Sequence, residues 1–344
     1  MPRRAARIFF GATSLLLLAQ AVGGCVDVLE PCAGKSVSAG QMLDCPMPGW
    51  TDRSYTLELP QSWDGTSPLP VVIAIHGGGG NKQSAAKVTC SGDTGGAACF
   101  SQVAMQAGMA VLRPDGTGTR PLRNVRTWNA GGGTGDWNCA SGGACKAGVD
   151  DVRYFRELLD DVAKVIPVDS KRIYATGLSN GGAMSHRLAC QLSDRIAAIV
   201  PVGGANQFAA AGGSCPTPVP ILHIHGTQDP CWTYKPSSVS CVEGSDAGVK
   251  QGAEESMEYW RAVNGCTADT IETALPDAAP SDGTRSYRVV WQGCAVATEL
   301  IRVEGGGHTW PGGNPYLSED RIGRVPRDFG SQVLVDFLRQ HALP

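Results

Sequence analysis

The chain predicts an α/β fold: one domain with a mostly parallel sheet covered by helices on both faces. Three observations carry that expectation. Continuous apolar runs at 71–75 and 221–225 have the composition of strands buried on both sides. Segments of helical period lie between such runs, clearest over 150–165, where Val152, Phe155, Leu158, Leu159 and Val162 share a stripe. At 173–182 a β-leaning run breaks into Gly177-Leu178-Ser179-Asn180-Gly181 and passes straight into an apolar, helix-compatible stretch over 183–192.

The elements follow in order. Arg3, Arg4 and Arg7 precede a mainly apolar run, 8–18, too short to cross a membrane, so 1–24 is expected to be an export signal. Val22-Gly23-Gly24-Cys25 is lipobox-like and would place a lipid on Cys25; ordinary cleavage nearby would instead remove that cysteine. Residues 25–44 are small and polar and read as a tether, with the domain over 45–344. Strands are expected at 53–59, 71–75, 109–112, 173–178, 196–202, 221–225, 287–291 and 297–303. Helices are expected at 100–106, 150–165, 183–192, 253–263 and 329–341, and 114–149 reads as a Gly- and Trp-rich loop.

Charge and cysteines narrow the class. The formal net charge of −3 becomes −6 without the three leader arginines, which argues against a nucleic-acid groove or a polybasic membrane patch. Of 13 cysteines, all but Cys25 can pair, as suits an oxidising compartment. Neighbours are expected to pair, closing modest loops: Cys32 with Cys45, Cys90 with Cys99, Cys139 with Cys145, Cys190 with Cys215, Cys231 with Cys241, and Cys266 with Cys294. The absence of any C-x-x-C argues against a zinc ribbon or a thioredoxin-type site. The chain is therefore expected outside the cytoplasm, extracellular or in the cell envelope.

The G-x-S-x-G pentapeptide alone is weak in a chain with 45 glycines. Its setting gives it weight. A serine on a sharp strand-to-helix turn has its hydroxyl exposed, and side chains at Gly177 or Gly181 would collide with neighbouring elements. A serine nucleophile needs a base. His76, His186, His223, His225 and His341 sit in strands, helices or at a strand end and read as structural. His308 lies in Gly305-Gly306-Gly307-His308-Thr309-Trp310-Pro311-Gly312, a loop late in the chain, and reads as the base. Asp229, just past the 221–225 strand, is the candidate acid, with Asp246 and Glu304 as rivals. The order Ser, Asp, His matches the α/β-hydrolase arrangement.

Two backbone N–H groups must hold an oxyanion. Asn180 follows the serine, and His76-Gly77-Gly78-Gly79-Gly80 offers Gly78 first and Gly77 second. Phosphate-loop and dinucleotide readings fail: Asn81 precedes Lys82 with no Ser or Thr after it, and Gly116-x-Gly118 lacks its third glycine. Trp128, Trp232, Tyr234 and Trp310 lie near these motifs. Their rings suit an aromatic acyl group or a sugar face; the alternative is that they are core residues.

Taken together, the chain resembles secreted polyhydroxybutyrate depolymerase and feruloyl esterase-like serine esterases grouped with carbohydrate esterase family 1. The shared features are residues 71–80, 111–116, Trp128-Asn129, 149–152, 177–184, 225–229 and 307–312, with coverage from about Cys45 onward. Asn264-Gly265-Cys266 with Cys294 is similar to that family's recurring cysteine pair. The resemblance implies an α/β-hydrolase fold and cofactor-free ester hydrolysis, with Ser179 as nucleophile, Asp229 as acid and His308 as base. Family substrates are feruloyl and acetyl esters on xylan, or 3-hydroxybutyrate polyester. No nucleic-acid partner or metal is implied, and membrane attachment would run through a lipid on Cys25. This chain departs from the pattern at Cys231, Trp232 and Cys241. The rival readings are a serine peptidase of the same fold and a non-catalytic cell-surface binding protein.

Overall fold

The computed structural model describes residues 30–93, 95–118, 125–139, 142–240 and 248–344. The expected signal, Cys25, Cys241 and Asp246 lie outside them. Ten strands form the main sheet: β1 (Met42–Pro46), β2 (Ser54–Glu58), β3 (Leu69–Ile75), β4 (Ala110–Pro114), β5 (Val168–Leu178), β6 (Ala198–Val202), β7 (Ile221–Gly226), β8 (Ala268–Ala274), β9 (Arg285–Gln292) and β10 (Thr298–Glu304). They pair in the order β1-β2-β4-β3-β5-β6-β7-β10-β9-β8. The stretch from β4 to β10 is parallel. The two strands at each end are antiparallel additions.

Strand periodicity sorts the side chains to two faces. Val71, Ile73 and Ile75 point into one apolar layer, and Val72 and Ala74 into the other. The first layer is closed by helices α3 (Asp151–Val162), α4 (Asn180–Gln191) and α5 (Ala253–Val263), through Leu158, Leu188 and Trp260. The second is closed by α2 (Phe100–Gln106) and α6 (Ser331–Leu338), through Phe100, Val103, Leu334 and Phe337. Each fully buried Leu or Phe contributes about 1.5–3 kcal/mol. Such a two-faced core is what continuous apolar runs separated by amphipathic helices specify.

Several elements escaped the sequence reading, among them the short strands Thr117–Gly118 and Arg126–Thr127 and the helix Gly143–Lys146, which lie within the expected 114–149 loop; three more are instructive. Helix α1 (Lys82–Val88) carries no apolar stripe, but an Asn81–Ser84 capping box starts it. Strand β8 has every residue exposed, so it shows no hydrophobic alternation; its pairing with β9 alone defines it. Strand β1 corrects the expected tether over 25–44. Residues 42–44 are already sheet, and buried Cys32 is bonded to Cys45, so the described part of that segment packs on the domain.

Five expected cysteine pairs are present as disulfides: Cys32–Cys45, Cys90–Cys99, Cys139–Cys145, Cys190–Cys215 and Cys266–Cys294. Cys231 is also disulfide-bonded. Among the described residues, no helix is long and apolar enough to cross a membrane.

The Cys266–Cys294 bridge spans 28 residues and brackets β8 and β9, the end of the sheet with least burial. Replacing both cysteines by serine is expected to lower stability by about 3 kcal/mol. Urea unfolding of the double variant checks this, and a loss under about 0.5 kcal/mol would show that the bridge constrains little.

Candidate active site

Ser179 is the junction between β5 and α4, with φ 61° and ψ −123°. Among the described residues it is the one non-glycine residue in the left-handed region. That geometry costs on the order of 1–3 kcal/mol and persists because its surroundings over-determine it. The Ser179 N–H donates to the Val202 carbonyl at 2.8 Å, and its own carbonyl accepts from Ala183 N–H at 2.9 Å. A methyl group at Gly177 would stand 2.5 Å from the Ile75 carbonyl oxygen, and one at Gly181 only 2.2 Å from it. The collisions expected from the sequence are thus real. Gly204, after β6, is tighter still: a methyl there would lie 1.9 Å from the Ser179 carbonyl oxygen.

Asp229 and His308 arrive from the neighbouring strand ends. Asp229 follows β7 and is buried, 3% exposed. Its Oδ1 accepts from the N–H groups of Cys231 and Trp232, both at 2.8 Å. Its Oδ2 accepts from His308 Nδ1 at 2.6 Å. Burial alone would raise the Asp229 carboxyl, but His308 and His225 outweigh it and hold the group well below the usual carboxylate range. His308 follows β10 in a loop pinned to the 322–324 segment: His308 N–H donates to Ile322 O, and Gly307 N–H to Arg324 O. With Nδ1 committed to Asp229, its Nε2 is free to act. Neither that nitrogen nor Ser179 Oγ has a hydrogen-bond partner among the described residues.

Gly203 and Gly204 bring the groups together. A methyl at Gly203 would be 3.3 Å from His308 Nδ1, 3.5 Å from Asp229 Oδ2 and 3.4 Å from Leu178 Cδ1. Because Gly204 also abuts Ser179, serine, histidine and aspartate converge around one turn after β6.

The glycine loop lies on the other side of the serine. Gly79 N–H donates to Arg126 O and Gly80 N–H to Gly77 O. Among the described residues, the N–H groups of Gly77, Gly78 and Asn180 have no acceptor. A methyl at Gly77 would be 3.4 Å from Ser179 Cβ, and one at Gly78 would be 3.5 Å from Asn180 Cβ. The Asn180 side chain clamps Trp128 in both directions, accepting from its N–H at 2.7 Å and donating to its carbonyl at 3.1 Å. His76 Nε2 accepts from Gly116 N–H, so its Nδ1 carries the hydrogen and donates to Gly77 O at 2.8 Å. Burial lowers His76 to about 4, consistent with a neutral ring fixing this loop.

The four aromatic residues expected to face substrate are buried among core residues. Trp128 is fully buried and donates from Nε1 to His76 O; it is framework beneath the glycine loop. Trp310 packs in the second apolar layer against Phe100 and donates to Ser331 Oγ. Trp232 and Tyr234 are buried in the first layer, and Trp232 donates to Gln251 O. Each ring is more useful filling the core than leaving it. Exposed apolar groups lie elsewhere: Val125 beside Gly79, and Tyr316. Isolated loop residues of this kind carry no sequence signal. Of the rival acids, Glu304 is exposed and paired with Arg302. Asp229, Cys231 and His308 are near enough for a metal, but Cys231 is disulfide-bonded and the other two are engaged with each other. Cavities of about 450 and about 510 Å³ near Gly40 and Met105 include none of these residues, so chemistry rather than depth marks the site.

A serine at a sharp strand-to-helix turn, with aspartate and histidine delivered from the ends of β7 and β10, is the arrangement of the α/β-hydrolase fold. Comparison with known proteins gives the nearer relations. A family described as Phospholipase/Carboxylesterase matches residues 146–240, which hold Ser179 and Asp229. Feruloyl esterase B of Piromyces equi is 34% identical over 179 residues, 50% of this chain and 31% of that protein. Probable feruloyl esterase C of Aspergillus niger is 26% identical over 255 residues, 74% of this chain and 76% of that one. An acetyl xylan esterase structure from Aspergillus awamori shares the fold with a TM-score of 0.50 and 15% identity, covering 78% of this chain and 94% of that chain. The chain therefore spans under a third of the first of these relatives and about three quarters of the second.

Two outcomes are expected. Gly204→Ala should destabilise the chain by about 3 kcal/mol or more. Gly34→Ala, which would meet nothing within 4 Å, should cost only the roughly 1 kcal/mol of a left-handed alanine. Paired denaturation curves decide this. Secondly, burial keeps His76 near 4, His186 near 3 and His223 well below its ordinary value of 6.5. Above that value both states are neutral and stability is full. Below it the unfolded chain takes up protons that the folded chain refuses. Stability should fall between about pH 6.5 and 4, by up to ~1.4 kcal/mol per pH unit for each of His76 and His186, with His223 acting in the same direction. A flat urea midpoint across that window would show that these rings do titrate when folded.

Proposed function

We propose that this chain hydrolyses carboxylic esters through an acyl-enzyme on Ser179. The observation that carries the reading is the 2.6 Å Asp229–His308 hydrogen bond, set beside a serine held in the left-handed region. In the proposed sequence, Ser179 Oγ attacks the ester carbonyl carbon while its proton passes to His308 Nε2. Asp229 keeps the hydrogen on His308 Nδ1 and stabilises the imidazolium. The oxyanion is held by N–H groups of Asn180 and of Gly78 or Gly77. His308 then protonates the departing alcohol, and a water deprotonated by the same nitrogen releases the acid. No step calls for a metal or an organic cofactor.

For substrate we take feruloyl or acetyl esters on plant polysaccharide, on the names of the similar proteins. The disulfides support a place of action outside the cytoplasm, where such bonds persist. Attachment through a lipid on Cys25 fits the same location.

The test is turnover of methyl ferulate, acetylated xylan and a 3-hydroxybutyrate oligomer by wild type, Ser179→Ala and Asp229→Asn. Ser179→Ala is expected to lose about 10⁴–10⁶ in kcat and Asp229→Asn about 10⁴ on the same ester. Peptide turnover exceeding that of every ester would favour a peptidase. No turnover by folded, oxidised protein would sink the esterase reading.

A further inference from the structure

Three buried histidines stand behind the site, and the chemistry proposed above uses none of them. His186 lies on α4, and His223 and His225 lie on β7; all three are at most 1% exposed. They form one hydrogen-bonded series. Trp260 Nε1 is 2.9 Å from His186 Nδ1. His186 Nε2 is 3.2 Å from His223 Nδ1, and His223 Nε2 is 3.0 Å from His225 Nδ1. His225 Nε2 is 2.6 Å from the Trp232 carbonyl oxygen and 3.4 Å from Asp229 Oδ2.

The two ends give the series a direction. An indole N–H can only donate, so His186 Nδ1 must accept and its hydrogen sits on Nε2. That hydrogen is given to His223 Nδ1, which places the next one on His223 Nε2. The same step repeats at His225. The series ends on a carbonyl and a carboxylate oxygen, which can only accept. One arrangement of hydrogens therefore satisfies every link: three neutral rings, each with its hydrogen on Nε2. The opposite arrangement would set two donors against each other at Trp260 and two acceptors against each other at Trp232.

We propose that His225 is a positioning residue for the reaction at Ser179, and that Trp260 sets its hydrogen arrangement through His186 and His223. The proposal rests on the esterase reading of Ser179, Asp229 and His308. The turn over 229–232 is tied from both sides. Asp229 Oδ1 takes the N–H groups of Cys231 and Trp232, and the Trp232 carbonyl takes His225 Nε2–H. The oxygen of Asp229 nearest His225 is Oδ2, the one that receives His308 Nδ1–H. With Nε2–H facing it, that oxygen is drawn between two donors and the carboxylate cannot rotate. With the hydrogen on Nδ1 instead, a lone pair would face both acceptors and push Oδ2 away from His308. No proton needs to travel along the series; its effect is to fix the Asp229 plane.

The first measurement is ¹⁵N imidazole NMR on wild-type protein at neutral pH. His186, His223 and His225 are expected as neutral rings with hydrogen on Nε2. Hydrogen on Nδ1 of His223 or His225 would overturn the proposal. The second is kinetics on an ester whose turnover Ser179→Ala abolishes. His225→Leu should lower kcat about 10- to 100-fold with KM within about twofold, as expected when a reacting group is misplaced. His225→Gln keeps an N–H donor near the Nε2 position and should recover to within about fivefold of wild type. Trp260→Phe removes only the leading donor; hydrogen should redistribute on His186 and kcat should fall about threefold. A folded His225→Leu with kcat within about twofold of wild type would overturn the proposal. If His225→Leu does not fold, Trp260→Phe decides: a moved hydrogen on His186 with unchanged kcat would overturn it. If wild type turns over no ester, the esterase reading has failed, and the NMR result still decides whether the series has the order inferred here.

Discussion

Everything at this site depends on how closely the backbone crowds around Ser179. Strands β3 and β6 flank β5 at sheet spacing, and α4 begins with no linker. The Ile75 carbonyl oxygen is within 2.2–2.5 Å of where side chains at Gly177 and Gly181 would begin. Only glycines fit, and the serine between them is held in a conformation it would otherwise avoid. A turn of this kind exposes the serine hydroxyl above the sheet and faces the first N–H groups of the following helix toward it. An ordinary loop could carry the same five residues, but it would not hold them in this geometry.

The order of strands explains why residues far apart in the chain meet. Leu178 ends β5, Gly226 ends β7 and Glu304 ends β10, and in the sheet these strands lie within four consecutive positions. Only β6 intervenes, so its outgoing turn, Gly203-Gly204, must pass between serine and the Asp–His pair. A side chain at Gly203 would press on His308 and Asp229, and one at Gly204 would collide with the Ser179 backbone. Asp229 and His308 are 79 residues apart, yet parallel pairing of β7 with β10 brings their loops out side by side.

This logic also accounts for what could be read from the amino-acid order. Ser179 and Asp229 could be singled out because each stands at the end of a β-leaning run, and His308 because it sits in a glycine-rich loop late in the chain; strand ends are where parallel sheets collect function. The cysteine pairs were legible because short loops close most readily, and every pairing within the described residues follows that rule. Strand β8 was not legible, since a strand that buries no side chain leaves no alternation. Helix α1 is set by its cap rather than by a stripe. The aromatic rings misled for a related reason. Nearness in sequence to Asp229 or His308 says nothing about which way a side chain turns, and Trp310 turns into the layer on the far side from α4. The histidine series could not be read either. His223 and His225 are two apart on one strand, but only packing against α4 and α5 brings His186 and Trp260 to them.

Strand β8 has one more consequence. All seven of its residues face solvent, and the carboxylate of Glu272 meets Arg302 on β10, across the intervening β9. Among the described residues, neither apolar layer includes its side chains. Its sequence can therefore drift with little structural consequence, while the turn at Gly203-Gly204 tolerates almost none. Rates of change along this chain should follow that contrast, fast at the sheet's outer margin and nearly frozen at its centre, so that surface character and chemistry can evolve separately within one fold.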